Sequence, residues 1–300
     1  MALTFYLAKL TVLNKSIQLP PNFERILQDY DDDEYKASSY FKPFRDYTAN
    51  KTSVVIFMMR FIEHDGLITF ERAKILARSE LMDSLTVIIL ADSPPWNSIH
   101  SSDDVYLINV NDLMCKKHGY RDSSIPGKIW TSWDKVLFLL NRVLNHFSFA
   151  WIIEEDVYIP SLEAFIHLHS LSAKGEVDLI MPPYKVMEAS DVFSYHSEAR
   201  RYCPPPWQFA LMCAFGISRR MLDVVDREVR EKGSLFFGEW FFPTLAVRNN
   251  LNILQRKELS SIQLYRSEID CHNITHQPHH WYHPVKDQKD FMRNCNFTLT

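Results

Sequence analysis

Glycine is scarce in this sequence, with 7 residues in 300. A loop that cradles phosphates with backbone N–H groups needs several glycines close together, and neither GxGxxG nor GxxxxGK[ST] occurs. Long apolar runs are missing too, since none reaches the roughly 18 residues of a membrane-spanning helix. There is no excess of basic charge. The net charge is -4 and the isoelectric point about 6.3, which gives no basis for a nucleic-acid-binding surface. The first residues, "MALTFYLAKL", lack the basic start and small-residue cleavage site of a signal peptide. The five cysteines (Cys115, Cys203, Cys213, Cys271, Cys295) are odd in number and form no CxxC pair. Together these absences predict reduced thiols and a cytoplasmic location. Four Asn-x-Ser/Thr sequons, at Asn14, Asn50, Asn273 and Asn296, keep a luminal location such as the Golgi open, should an anchor lie outside this chain.

What is present is a large apolar fraction, 46% of residues, enough for a sizeable core. Residues 1–52 are polar and acidic in their second half, with "DYDDDEY" at Asp29–Tyr35, and are expected to form a solvated extension. From residue 53 the pattern changes. Buried strands are expected at 53–61, 85–93, 104–110, 147–153, 177–181 and 207–218. Amphipathic helices are expected at 68–81, 132–144 and 160–171, from Ser218 to Gly233, and over "GEWFFPTLAVRNN". On the first of them Phe70, Ala73, Leu76, Ala77 and Leu81 share one face. Strands alternating with helices predict an α/β, Rossmann-like fold with a mostly parallel central sheet covered on both faces. The expected organisation is one catalytic domain over 53–300, with a first half to residue 159 and a second half over 160–300.

The stretch "FSFAWIIEEDVYIPS" sets the chemical question. Three acids, Glu154, Glu155 and Asp156, follow a buried strand, where adjacent carboxylates repel and are costly to desolvate. They fit a solvated turn before a helix. They also fit the crevice at the carboxyl end of a parallel sheet, where ligands bind. There the oxygens would suit Mn2+ or Mg2+ bridging a diphosphate, which would remove the repulsion.

With this stretch in hand, "WIIEEDVYIPS" resembles the Asp-x-Asp region of the GT-A fold glycosyltransferases. "FALMCAFGISRRMLDVV" is similar to the family's strand and helix beside the acceptor cleft, and "LFFGEWFFPTLAVRNN" to the segment that supplies the base in inverting enzymes. The order of these motifs also resembles glycosyltransferases of algae and of the large viruses that infect them. The resemblance implies a metal-dependent inverting enzyme. It would move a sugar from a nucleotide donor, UDP-linked by expectation, to a glycan hydroxyl. Asp156 would hold the metal, Glu154 would contact the donor, and Glu155 between them would point elsewhere. Glu239 would be the catalytic base, although an acid at a helix start is favoured by the dipole alone.

The tail "CHNITHQPHHWYHPVKD" holds His272, His276, His279, His280 and His283. It reads as a solvated cap, as a zinc cluster without HExxH spacing, or, by the resemblance, as the source of a metal-binding His. The last reading names His283, with His280 as the alternative, and Lys286 beside the diphosphate. Further nucleotide contacts are expected from Arg60, Asp92 and Lys135, against ordinary readings of a turn Asp and a solvated Lys. Trp207, Trp240, Trp281 and Tyr282 are candidates to stack on sugar faces, against core packing. A sugar nucleotidyltransferase and a carbohydrate-binding protein on a degenerate fold are the rival readings. The first ordinarily opens with a phosphate loop that "VVIFMMRFIEHDG" lacks.

Overall fold

The computed structural model describes residues 48–59, 64–91, 98–102, 105–110, 112–120, 131–172, 176–191, 196–232, 237–263, 269, 271–285, 291–293 and 295. The expectations for the acidic extension, Arg60, Asp92 and Lys286 fall outside these residues.

Seven apolar or small residues in a row leave no polar face, so β1 (Ser53–Met59) is buried on both sides and takes a central place. It pairs in parallel with β2 (Leu85–Ala91) and β5 (Phe149–Glu154). β2 pairs in parallel with β4 (Val105–Asn109), and β3 (Ser98–Ser102) closes that edge in antiparallel. On the other side β9 (Ala214–Ser218) runs antiparallel between β5 and β6 (Leu179–Met181), and β10 (Ile253–Gln255) pairs in parallel with β6. The sheet order is β10-β6-β9-β5-β1-β2-β4-β3, so strands from both expected halves of the chain share one sheet. The mostly parallel α/β class is as expected.

Side-chain alternation divides the core. Val54, Ile56, Met58, Ala150 and Ile152 pack with α3 (Thr131–Phe138), α6 (Arg219–Lys232) and α7 (Gly238–Arg248). Val55, Phe57, Met59, Trp151 and Ile153 pack with α1 (His64–Ala77) and α4 (Leu162–Ser172). The expected helical face is realised in α1, where Ala73, Leu76 and Ala77 are buried.

The strand expected over 207–218 is two strands. β8 (Trp207–Phe209) pairs with β7 (Lys185–Met187) in a separate small sheet, while β9 belongs to the main one. The break is invisible in the apolar run because Ala210, Met212 and Cys213 within it are themselves buried. It has a use, since the Ala210 N–H donates to the Glu239 carbonyl (3.1 Å) and pins the start of α7. The helix expected over 132–144 changes pitch at Leu139–Val143, a π-turn closed by the Leu144 N–H on the Leu139 carbonyl (2.8 Å). Two short helices, α2 (Asp112–Lys117) and α5 (His196–Tyr202), complete the order up to β10, and α8 (Cys271–His276) opens the tail.

β9 passes close under β5 at Gly216. A Cβ there would lie 2.7 Å from the Phe149 ring and 3.3 Å from Trp151. Gly216→Val should therefore destabilise by about 1–3 kcal/mol, seen as a lower urea midpoint with unchanged slope.

The cysteine expectation is corrected. Cys271 and Cys295 form a disulfide, while Cys115, Cys203 and Cys213 are buried and outside any disulfide. The partners lie 24 residues apart with no motif between them, so only the folded tail brings them together. Among the described residues no helix is long and apolar enough to cross a membrane.

Candidate active site

β5 delivers Glu154 to the carboxyl edge of the sheet, and the chain then turns, with the Val157 N–H donating to the Glu154 carbonyl (3.1 Å). The Glu154 N–H donates to the Cys213 carbonyl (2.8 Å), one step beyond the Ile153–Ala214 pair. Residues opposite one another in antiparallel strands have neighbouring side chains, so this register sets Cys213 beside Glu154.

The tail is stitched to the same loop. Tyr158 and Tyr282 exchange both backbone hydrogen bonds (2.8 and 2.9 Å), and the Val285 N–H donates to the Asp156 carbonyl (2.9 Å). Trp281 anchors this return by packing on Trp151 and Phe165, with ring centroids 5.2 and 5.9 Å away. Its indole N–H donates to the Ala164 carbonyl (3.3 Å). His283, between these anchors, therefore meets the acids. Its Nε2 lies 3.2 Å from Asp156 Oδ1 and 3.7 Å from Glu154 Oε2. The ring is 5% exposed, and its Nδ1 has no hydrogen-bond partner among the described residues. The tail thus brings His283 to the acids, while the alternative, His280, shares a hydrogen bond with Ser261 (3.0 Å).

Glu239 enters from α7, in its first turn. Burial, and then the charge of Glu154, push its carboxyl up to about 8. The Cys213 thiol is pushed well above its ordinary range by burial and then by Glu154, Glu239 and Asp156. Three carboxylates, a thiol and an imidazole thus converge at one strand end. Carboxylates and an imidazole brought this close fit a divalent cation, which would offset the repulsion between the acids.

Glu155, also named among the nucleotide-sugar contacts, lines a cavity shared with Arg72, Tyr158 and Phe165. Lys135 is not the solvated lysine of the ordinary reading, because it is 3% exposed. The stacking expectation for the aromatics is corrected. Trp207 and Trp240 are 0% and 3% exposed, so neither has a ring face open to a sugar. Trp207 donates to the Cys203 carbonyl (3.0 Å) and Trp240 packs on Phe209 (4.7 Å). Trp281 and Tyr282 are equally buried and serve to seat His283. Cys213 was not foreseen, since nothing in "ALMCAFG" distinguishes a core thiol from one that faces acids.

No family model matches the sequence, and no curated protein does. Among solved structures, the chain is similar to mouse xyloside xylosyltransferase 1 in its apo form, at 10% identity over 83% of this chain and 100% of that one, with a TM-score of 0.38. It is also similar to core-mannan synthase A (CmsA/Ktr4) from Aspergillus fumigatus in a Mn/GDP form, at 10% identity over 67% of this chain and 70% of that one, TM-score 0.35. The mannosyltransferase Ktr4p from S. cerevisiae, in complex with GDP, gives 8% identity over 73% and 76% of the two chains, TM-score 0.34. Two are sugar transferases by name and the third a mannan synthase, and none of the three is algal or viral. Likenesses this loose assign no activity to the chain.

The disulfide closes the tail segment that carries His283. Cys295→Ser should cost about 3.5 kcal/mol of stability, the chain entropy regained when a loop of this length is no longer closed in the unfolded state. A lower melting temperature, matched by adding reductant to the unsubstituted protein, checks it.

Proposed function

We propose that the protein is a metal-dependent inverting glycosyltransferase, acting as one catalytic domain from about residue 53 on a UDP-linked or related nucleotide-sugar donor and a glycan acceptor. The observation that carries this reading is the convergence of Glu154, Asp156 and His283 at the end of β5, with Glu239 on α7 near enough to feel the charge of Glu154. Asp156 and His283 would hold Mn2+ or Mg2+, and Glu154 would contact the donor. When bound, that cation offsets the charge of the departing diphosphate.

The chain's own residues perform the rest. Glu239 accepts the proton of the acceptor hydroxyl as that oxygen bonds to the anomeric carbon. The bond from that carbon to the diphosphate breaks on the opposite face, and the diphosphate leaves with the electron pair. Glu239 must be charged to do this. Its raised pKa places the change of charge near the working pH, where a base is most effective.

A panel of nucleotide sugars with Mn2+, scored for slow donor hydrolysis, tests the reading and names the sugar without knowledge of the acceptor. One donor should be hydrolysed, and hydrolysis should stop on chelation. Metal-dependent UDP binding with no turnover of any donor would leave a binding protein instead.

A further inference from the structure

Cys213 is the one group at this centre that the proposed transfer does not use. It starts no helix and fills no turn, and the antiparallel register alone holds it against Glu154. The Cys213 sulfur, a Glu154 carboxylate oxygen and a His283 ring nitrogen all lie within 4.8 Å of one another. Donor atoms around a tetrahedral zinc are about 3.5 Å apart, given Zn–S near 2.3 Å and Zn–N near 2.0 Å. The Glu154–His283 pair already stands at 3.7 Å, so small side-chain rotations close the set.

All three donors sit on fixed backbone. Glu154 is the last residue of β5, Cys213 is its cross-strand neighbour, and His283 is held by the Tyr158–Tyr282 bridge and by Val285. Two of the three donor atoms are not oxygen. Mg2+ prefers oxygen, whereas Zn2+ and Co2+ accept thiolate, imidazole and carboxylate together. One sulfur, one nitrogen and one carboxylate with a fourth position free is the composition of an open zinc site, not a closed structural one.

We infer that Glu154, Cys213 and His283 form a binding site for a borderline-soft divalent cation of the Zn2+ class, filled without any nucleotide. The thiol releases its proton to solvent as the sulfur–metal bond forms. Because His283 is shared, such a cation excludes the Mn2+ or Mg2+ of the transfer reaction, and that consequence, unlike the site itself, rests on the proposed function.

Co2+ is the probe, added to the oxidised full chain with no nucleotide present. One equivalent should bind and give a near-ultraviolet sulfur-to-cobalt charge-transfer band. Zn2+ should displace it, and a large excess of Mg2+ should not. The band should vanish in Cys213→Ser and persist in Cys115→Ser and Cys203→Ser, which remove the other free thiols. Co2+ binding without the band, a band that survives Cys213→Ser, displacement by Mg2+, or no binding at all would each overturn the site. Should Cys213→Ser fail to fold by circular dichroism, Glu154→Gln decides: the band should remain while affinity falls at least about tenfold. Unchanged affinity would overturn the site. None of these readouts involves sugar transfer, so the site and the proposed reaction fail independently.

Discussion

Asp156→Asn should reduce metal-dependent donor hydrolysis and sugar transfer together by about 1,000-fold. The substitution keeps the shape of the side chain but removes its charge from a cluster where His283 Nε2 stands 3.2 Å from Oδ1. A cation stabilising a leaving diphosphate contributes several kcal/mol, and each 1.36 kcal/mol is about tenfold in rate. His283→Ala should follow the same pattern, because the tail brings that ring to the same two acids. Equilibrium dialysis of Mn2+ with UDP gives a second readout: both variants should lose nucleotide-dependent cation binding. Unchanged cation binding in Asp156→Asn would remove this residue from the metal site.

Glu239→Gln should separate the two steps that Asp156→Asn loses together. Transfer to an acceptor should fall by about 100- to 10,000-fold, the range for losing a general base. Slow donor hydrolysis and donor binding should change far less, since neither requires the acceptor's proton to be removed by this carboxylate. In the unsubstituted protein, transfer should rise with pH as Glu239 ionises and level off above its folded-state pKa of about 8. The pH dependence of stability runs in the opposite direction. In the cation-free protein the folded state holds a proton on Glu239 that the unfolded chain, with a pKa near 4.5, has released. Between about pH 5 and about pH 8 the unsubstituted protein therefore loses about 1.4 kcal/mol per pH unit relative to Glu239→Gln. Urea titrations of both proteins across this window measure the difference. A constant difference would place the Glu239 carboxyl in an ordinary solvated setting.

Much of the architecture was legible along the chain. The apolar runs of β1, β2 and β5 and the periodicity of α1 announce buried strands and helices whatever else is present, because burial demands those side chains at those spacings. The acids after β5 were legible for the same reason, since charge that ends a buried strand needs an explanation. The break between β8 and β9 was not legible. Both sides of it are buried, so composition stays apolar while the backbone changes sheets. The edge strand β3, "SIHSS", carries too little apolar signal to be read without its partner β4.

The sequence alone determined which strand end carries charge and that Glu239 opens a helix, because both follow from local pattern. Only the tertiary structure decided what these groups meet. The disulfide and the Tyr158–Tyr282 bridge fold the tail back so that His283, not His280, reaches the acids. The β5–β9 register sets Cys213 against Glu154, and packing turns Trp207 and Trp240 into core. Each of these is a contact between segments far apart in the chain, and local residue pattern carries no record of which distant segment will supply the other half.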